Sequence, residues 1–166
     1  MRLRAKKEKF MKKFLKIAAV IVALILCCAM LFACAGGNVS GDSMTLVLTD
    51  GEDYTQVFQV DLNKMSYNEN TGLMNILESM KLQGTLTYTA TDSGYGAYLT
   101  QIGELTEDLA AHRSIYIYTS VEKDVDVSQY ASTFTYEGKE YTNAGVGASQ
   151  MTIEDDCVII ITYTTW

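Results

Sequence analysis

Few side chains in this chain could do chemistry. Its 166 residues include one histidine (His112), four cysteines, one tryptophan (Trp166) and eleven tyrosines. A lone imidazole in a polar stretch lacks the partner needed for a triad or a metal cluster. No glycine-rich phosphate loop, G-x-S-x-G or H-E-x-x-H occurs. Cys157 opens an apolar run and reads as a small buried thiol rather than a nucleophile. Glu122, Asp124 and Asp126 alternate as parts of a calcium loop do. Val127 and Thr133, however, stand where that loop needs glycine and glutamate. The three acids read as a solvated connection, as do Asp50–Asp53 and Glu154–Asp156. This pattern predicts a chain with no catalysis, no metal and no cofactor.

Recognition is left to the aromatics. Tyrosine stacks on ligands or sugars while its hydroxyl stays hydrogen-bonded. Tyr95 and Tyr98 flank Gly96, where a ligand can come close to the backbone. Gln101 follows in the same segment, and Tyr116 and Tyr118 share one face of a later one. Tyr95, Gly96, Tyr98, Gln101, Tyr116 and Tyr118 are therefore the candidate ligand-binding residues. Ordinary half-buried sheet packing is the plain alternative.

Another thiol, Cys34, stands where a greasy run ends. Met1–Lys16 carries eight basic residues against Glu8, and Ile17 begins an apolar stretch that runs through Cys27 and Cys28 to Phe32. A positive segment, an apolar segment and a small residue at a cut site are the parts of an export signal. Leu31-Phe32-Ala33-Cys34 resembles a bacterial lipobox. The resemblance implies cleavage after Ala33 and a diacylglyceryl group on Cys34, enough acyl chain for stable anchoring. Residues 1–33 would be a lipoprotein signal peptide, 34–43 the lipidated cysteine with a flexible tether, and 44–166 the folded domain on the extracellular face of the cell membrane. A permanent membrane helix over Ile17–Ala35 is the alternative. Beyond residue 33 stand five basic and nineteen acidic residues, a net of −14. Such a surface repels phosphate backbones, so nucleic acid is not expected as a partner. With Cys157 the one cysteine in the folded domain, the core must hold the fold without a disulfide.

Patterning then supplies the elements that position the tyrosines. Met44–Thr49 and Thr55–Leu62 alternate about the Asp50–Asp53 turn, predicting a β-hairpin with Met44, Leu46, Leu48, Phe58, Val60 and Leu62 inward. Leu73, Ile76, Leu77 and Met80 fall on one stripe of a short helix, with Thr71 as its N-cap and Gly84 past its end. Thr85–Thr91 and Tyr95–Ile102 read as strands, and Glu104–His112 as a loop or short helical turn. Ser114–Thr119 is β-rich, with isoleucines on one face and tyrosines on the other. Ser132–Tyr136 and Glu140–Asn143 flank a Glu137-Gly138-Lys139 turn. Ala144–Gln150 is a small-residue loop. The unbroken run from Cys157 to Tyr163 predicts a strand covered on both sides. One helix against a mixed or antiparallel sheet gives an α+β roll.

Several of these pieces, in this order, resemble the transcobalamin-like C-terminal domain. Thr71–Met80 stands where that family has its "T-x-x-D-A-L" helix. Gly94–Gly103 is similar to its "G-x-Y-I-x-x-I-x-G" strand, and Ser114–Thr119 to a strand that often opens with tryptophan. Gly145–Met151 followed by Ile153–Ile159 is similar to its "L-x-D-G-D-x-I" ending. Ser114, Ser120-Val121 and Asp156-Cys157 depart from the family's frequent residues. The resemblance covers about residues 44–164 and implies a β-grasp-like roll. It also implies a bound corrinoid, held as a ligand rather than a cofactor. In cobalamin carriers this domain covers one face of a corrinoid gripped by a larger helical domain, which these 166 residues are not expected to form. Two functions follow as expectations. The first is a surface-anchored, non-catalytic small-ligand module passing its ligand to a membrane importer. The second is a protein- or glycan-interaction module of the cell envelope, for adhesion or assembly.

Overall fold

The computed structural model describes residues 42–65, 70–94 and 96–165. The expected leader, Cys34 and Tyr95 lie outside the described residues.

Alternating apolar residues build the hairpin first. β1 (Ser43–Thr49) and β2 (Thr55–Asp61) pair in continuous register from Ser43↔Asp61 to Thr49↔Thr55. Asp50 shapes the turn, its Oδ1 accepting from the N–H groups of Glu52 and Tyr54. Met44, Leu46 and Leu48 are buried as the pattern requires, but so is Val47 on the opposite face. The reason is β9 (Cys157–Thr165), which lies parallel to β1 and makes it an interior strand. β9 also pairs antiparallel with β6 (Arg113–Thr119) along its length. β7 (Thr133–Tyr136) and β8 (Lys139–Asn143) complete a six-stranded sheet in the order β2-β1-β9-β6-β8-β7. Their two-residue turn places Glu137 and Gly138 both at positive φ, the geometry that matches the twist of a tight hairpin.

The helix α1 (Leu73–Leu82) buries the expected stripe of Leu73, Ile76, Leu77 and Met80. Its N-cap is Gly72 rather than Thr71. A distant segment decides this: Gly72 bridges to Thr152, and Met151 O accepts the N–H of Leu73 at 3.2 Å. A Cβ at position 72 would sit 3.0 Å from Met151 O, so only glycine fits the cap comfortably. At the other end Gly84 takes φ +70°. Thr85 N–H bonds Met80 O and Gly84 N–H bonds Lys81 O, a Schellman closure.

That closure delays the next strand. β3 (Tyr88–Ser93) starts three residues later than the alternation predicts, although Leu86 is still buried. β3 joins β4 (Gly96–Ile102) and the two-residue β5 (Leu105–Thr106) in a second, three-stranded sheet. A bulge at Thr100 moves the pairing from Ala90↔Leu99 to Thr89↔Gln101, so Leu99 and Ile102 both reach the core three residues apart. The Glu104–His112 stretch contains β5 and a 3-10 turn, Leu109–Ala111. The domain is thus α+β, mostly sheet, with one α-helix among the described residues. Its main core includes helix residues, Leu46, Ile159 and Ile161. A smaller cluster of Val47, Ile160, Tyr118 and Tyr141 covers the other face of the large sheet.

Candidate functional site

β4 and β6 belong to different sheets and leave a slot of about 120 Å3 between them, with the segment Ala144–Ala148 as a third wall. Tyr98, Leu99, Ile115, Ile117 and Val146 line it, and the walls are mostly apolar. Small residues in the wall segment let its backbone come close to both strands. Ala148 N–H donates to Ala97 O at 3.1 Å, and Ala97 N–H to Ser149 Oγ at 2.9 Å. Ala144 N–H donates to Ile117 O at 2.8 Å. Gly96, at φ +101°, does permit a close approach, but Ser149 fills the space a Cβ would need.

Asp124 holds this wall from behind. It is 6% exposed, inside a 3-10 turn (Glu122–Asp124), rather than in a solvated loop. Its Oδ2 accepts from Thr152 N–H at 2.6 Å, its Oδ1 from Thr152 Oγ1 at 3.3 Å, and its main-chain oxygen from Gly145 N–H at 2.8 Å. The sequence carried no signal for this, because alternating acids read as solvent-facing and the partner lies 28 residues downstream.

The predicted residues fall on two sides of the molecule. Tyr98 lines the slot, and its hydroxyl donates to Glu107 Oε1, which also accepts from Ser114 Oγ at 3.1 Å. Burial, together with this carboxylate contact, raises the Tyr98 pKa. Gln101 is exposed on β4 between Thr89 and Thr106. The Tyr116 backbone runs along the slot, whereas its ring belongs to the cluster on the far face of the large sheet. There the Tyr116 and Tyr118 rings lie 5.7 Å apart, edge to face, and Tyr118 lies 5.5 Å from Phe134. Asn143 Nδ2 donates to the Tyr116 hydroxyl at 3.3 Å. Tyr136 and Tyr141 extend this aromatic face. The structure therefore puts Tyr98 in the lining of the slot and Gly96 next to it, against Ser149, and sets both apart from the rings of Tyr116 and Tyr118. Glu107 and Asp124, which hold neighbouring groups in place, and the Ala144–Ala148 wall are parts of this arrangement that sequence reasoning did not place at a ligand site.

Among the described residues no three His, Cys, Asp or Glu side chains cluster closely enough to hold a metal. Burial raises the Cys157 thiol pKa, which disfavours the nucleophilic thiolate.

No protein-family model matches the chain, and no curated protein matches it. Solved structures do. A Ruminococcus gnavus protein, given as a metal-binding candidate, superposes with a TM-score of 0.51 at 18% identity, over 75% of this chain and 98% of that one. Haptocorrin in complex with Cbi gives a TM-score of 0.48 at 13% identity, over 81% of this chain and 28% of haptocorrin. At such identities the chain shares a fold with the Ruminococcus gnavus protein, and this likeness speaks for the fold alone.

Proposed function

We propose that this chain is a bacterial lipoprotein, anchored through Cys34 to the outer side of the cell membrane, whose β-grasp-like domain is a non-catalytic module for a small ligand. The carrying observation is the slot between β4 and the Ala144–Ala148 wall. Two segments that bear the transcobalamin-like resemblance, Gly94–Gly103 and Gly145–Met151, meet there through the Ala97–Ala148 and Ala97–Ser149 bonds. At about 120 Å3 the slot is far smaller than the roughly 300–1,000 Å3 of pockets that enclose a drug-sized ligand. A ligand would insert one arm and leave its body outside, across Tyr98. A corrinoid, with amide arms around a broad ring, suits that mode, and a membrane importer would be the recipient.

Calorimetric titration of the full chain with cobalamin and with cobinamide tests the reading. Saturable heat that is lost in Val146→Trp, which fills the slot, supports it; no saturable heat with either corrinoid overturns it. For the anchor, Cys34→Ser should abolish metabolic lipid labelling, and unchanged labelling would refute the assignment.

A second reading rests on the far-face aromatics Tyr116, Tyr118, Phe134, Tyr136 and Tyr141. Tyr118 and Tyr141 are buried within it, so the half-buried Tyr116, Phe134 and Tyr136 would be the rings that meet an envelope glycan or protein. Glycan-array binding that disappears in Tyr136→Ala would favour it over the slot.

A further inference from the structure

A second cavity, about 420 Å3, shares no lining residue with the slot; Asp50, Tyr54, Glu104, Leu105, Arg113 and Tyr163 line it. Four distant segments contribute to it: the β1–β2 hairpin end, β5 with the residue before it, the start of β6 and the end of β9. Arg113 is the one arginine beyond Arg4. Its guanidinium carbon lies 4.3 Å from the centroid of the Tyr163 ring, so the ring holds the cation by its face. Its Nε is the one buried side-chain polar atom without a hydrogen-bond partner among the described residues. An orphaned donor on a charged group is costly, and this one is closed to solvent, so a guest would meet the Nη groups of the guanidinium instead. Two carboxylates share the cavity with it, yet Arg113 pairs with neither. The ion pairs among the described residues are Lys64–Asp61 and Lys123–Glu154. Opposite charges that line one cavity without closing on each other leave room for a guest between them.

The guest's chemistry follows from the lining. A guanidinium edge matches a carboxylate through two parallel N–H···O bonds. Asp50 Oδ1 is occupied by the turn N–H groups of Glu52 and Tyr54, which leaves Oδ2 to accept. Glu104 is exposed at the rim. Tyr163 Oη accepts from Thr106 N–H at 2.9 Å and keeps its own proton to donate. We propose that this cavity binds a free α-amino acid, its carboxylate on Arg113 and Tyr163 and its ammonium on Asp50 and Glu104. Two carboxylates against one guanidinium leave the lining one negative charge in excess. A second amine on the ligand offsets that charge, so L-lysine ranks ahead of L-glutamate.

Titration calorimetry of the full chain at low salt, with L-lysine, L-glutamate and acetate as probes, tests this. The expected result is saturable L-lysine binding, at least about tenfold weaker for L-glutamate and for acetate. Arg113→Gln should weaken L-lysine about tenfold or more and Glu104→Gln about fivefold, with thermal melting confirming that each variant folds. Should Arg113→Gln fail to fold, Arg113→Lys, which keeps the charge and loses the fork, takes its place beside Glu104→Gln. No saturable heat with L-lysine overturns the proposal. So does L-lysine binding that neither substitution weakens, or acetate binding as tight as L-lysine, which would make this a plain anion site.

Discussion

Replacing Asp124 with alanine tests how much this one buried carboxylate adds to stability through Thr152, in the segment that follows the wall of the slot. The substitution removes the 2.6 Å bond from Thr152 N–H and the weaker 3.3 Å contact from Thr152 Oγ1. It leaves the main-chain bond from Gly145 N–H intact. A hydrogen bond to a charged acceptor contributes about 1.5–3 kcal/mol, and the orphaned, half-buried Thr152 amide keeps the loss near the upper part of that range. For a domain of this size each kcal/mol moves Tm by roughly 3–5 °C, so Asp124→Ala should melt about 7–15 °C below the parent. Asp124→Asn keeps an oxygen acceptor for Thr152 N–H and should lose about half as much. Circular dichroism melts of the three proteins make the comparison. A loss below about 0.5 kcal/mol for Asp124→Ala, the level of an ordinary surface substitution, would refute the reasoning. A full-sized loss in Asp124→Asn would refute the assignment of the acceptor role, because the charge alone would then matter.

Other perturbations bear on different parts of the fold. Leu77→Ala removes a fully buried side chain from the helix stripe and should cost about 2–5 kcal/mol in urea unfolding, with an unchanged m-value. Gly84→Ala forces a side chain into φ +70° with no neighbour within 4 Å to clash. Its cost should be backbone strain alone, about 1–2 kcal/mol. Burial raises the pKa of Tyr54, Tyr88, Tyr98, Tyr116, Tyr136 and Tyr141 above the ordinary phenol value of 10.0. A folded-state pKa above the unfolded one stabilises the fold below about pH 10, and that contribution is lost as pH rises past it. Unfolding free energy should therefore fall above pH 10, and phenolate absorbance should show a late-titrating fraction. A single ordinary midpoint for all eleven tyrosines would contradict it.

What could be read in advance depended on the range of the interaction that decides each feature. The helix stripe and both hairpins follow from residues within a few positions of one another, and the Leu73–Leu82 helix and the β1–β2 and β7–β8 pairs stand where periodicity puts them. The two-sided cover of β9 was written in its unbroken apolar run. The same cover on β1 was not, since Met44-Thr45-Leu46-Val47-Leu48 alternates well enough for one buried face, and only the parallel pairing with residues 157–161 buries Val47. The N-cap moved from Thr71 to Gly72 because Met151 docks there, a contact with no local signature.

The candidate site shows the same limit. Spacing places Tyr116 and Tyr118 on one face of their strand, and they are. It carries no information on which face of the assembled sheet that is, and the sheet sets their rings apart from the slot that Tyr98 lines. What distinguishes the two surfaces is the route of β4, which lies beside the part of β6 that β8 leaves unpaired without joining its ladder. A fused β4–β6 ladder would leave no slot, and Tyr98 would be one more packed tyrosine. The gap between two sheets that share a core but not a hydrogen-bond ladder is therefore the feature on which the proposed small-ligand binding rests.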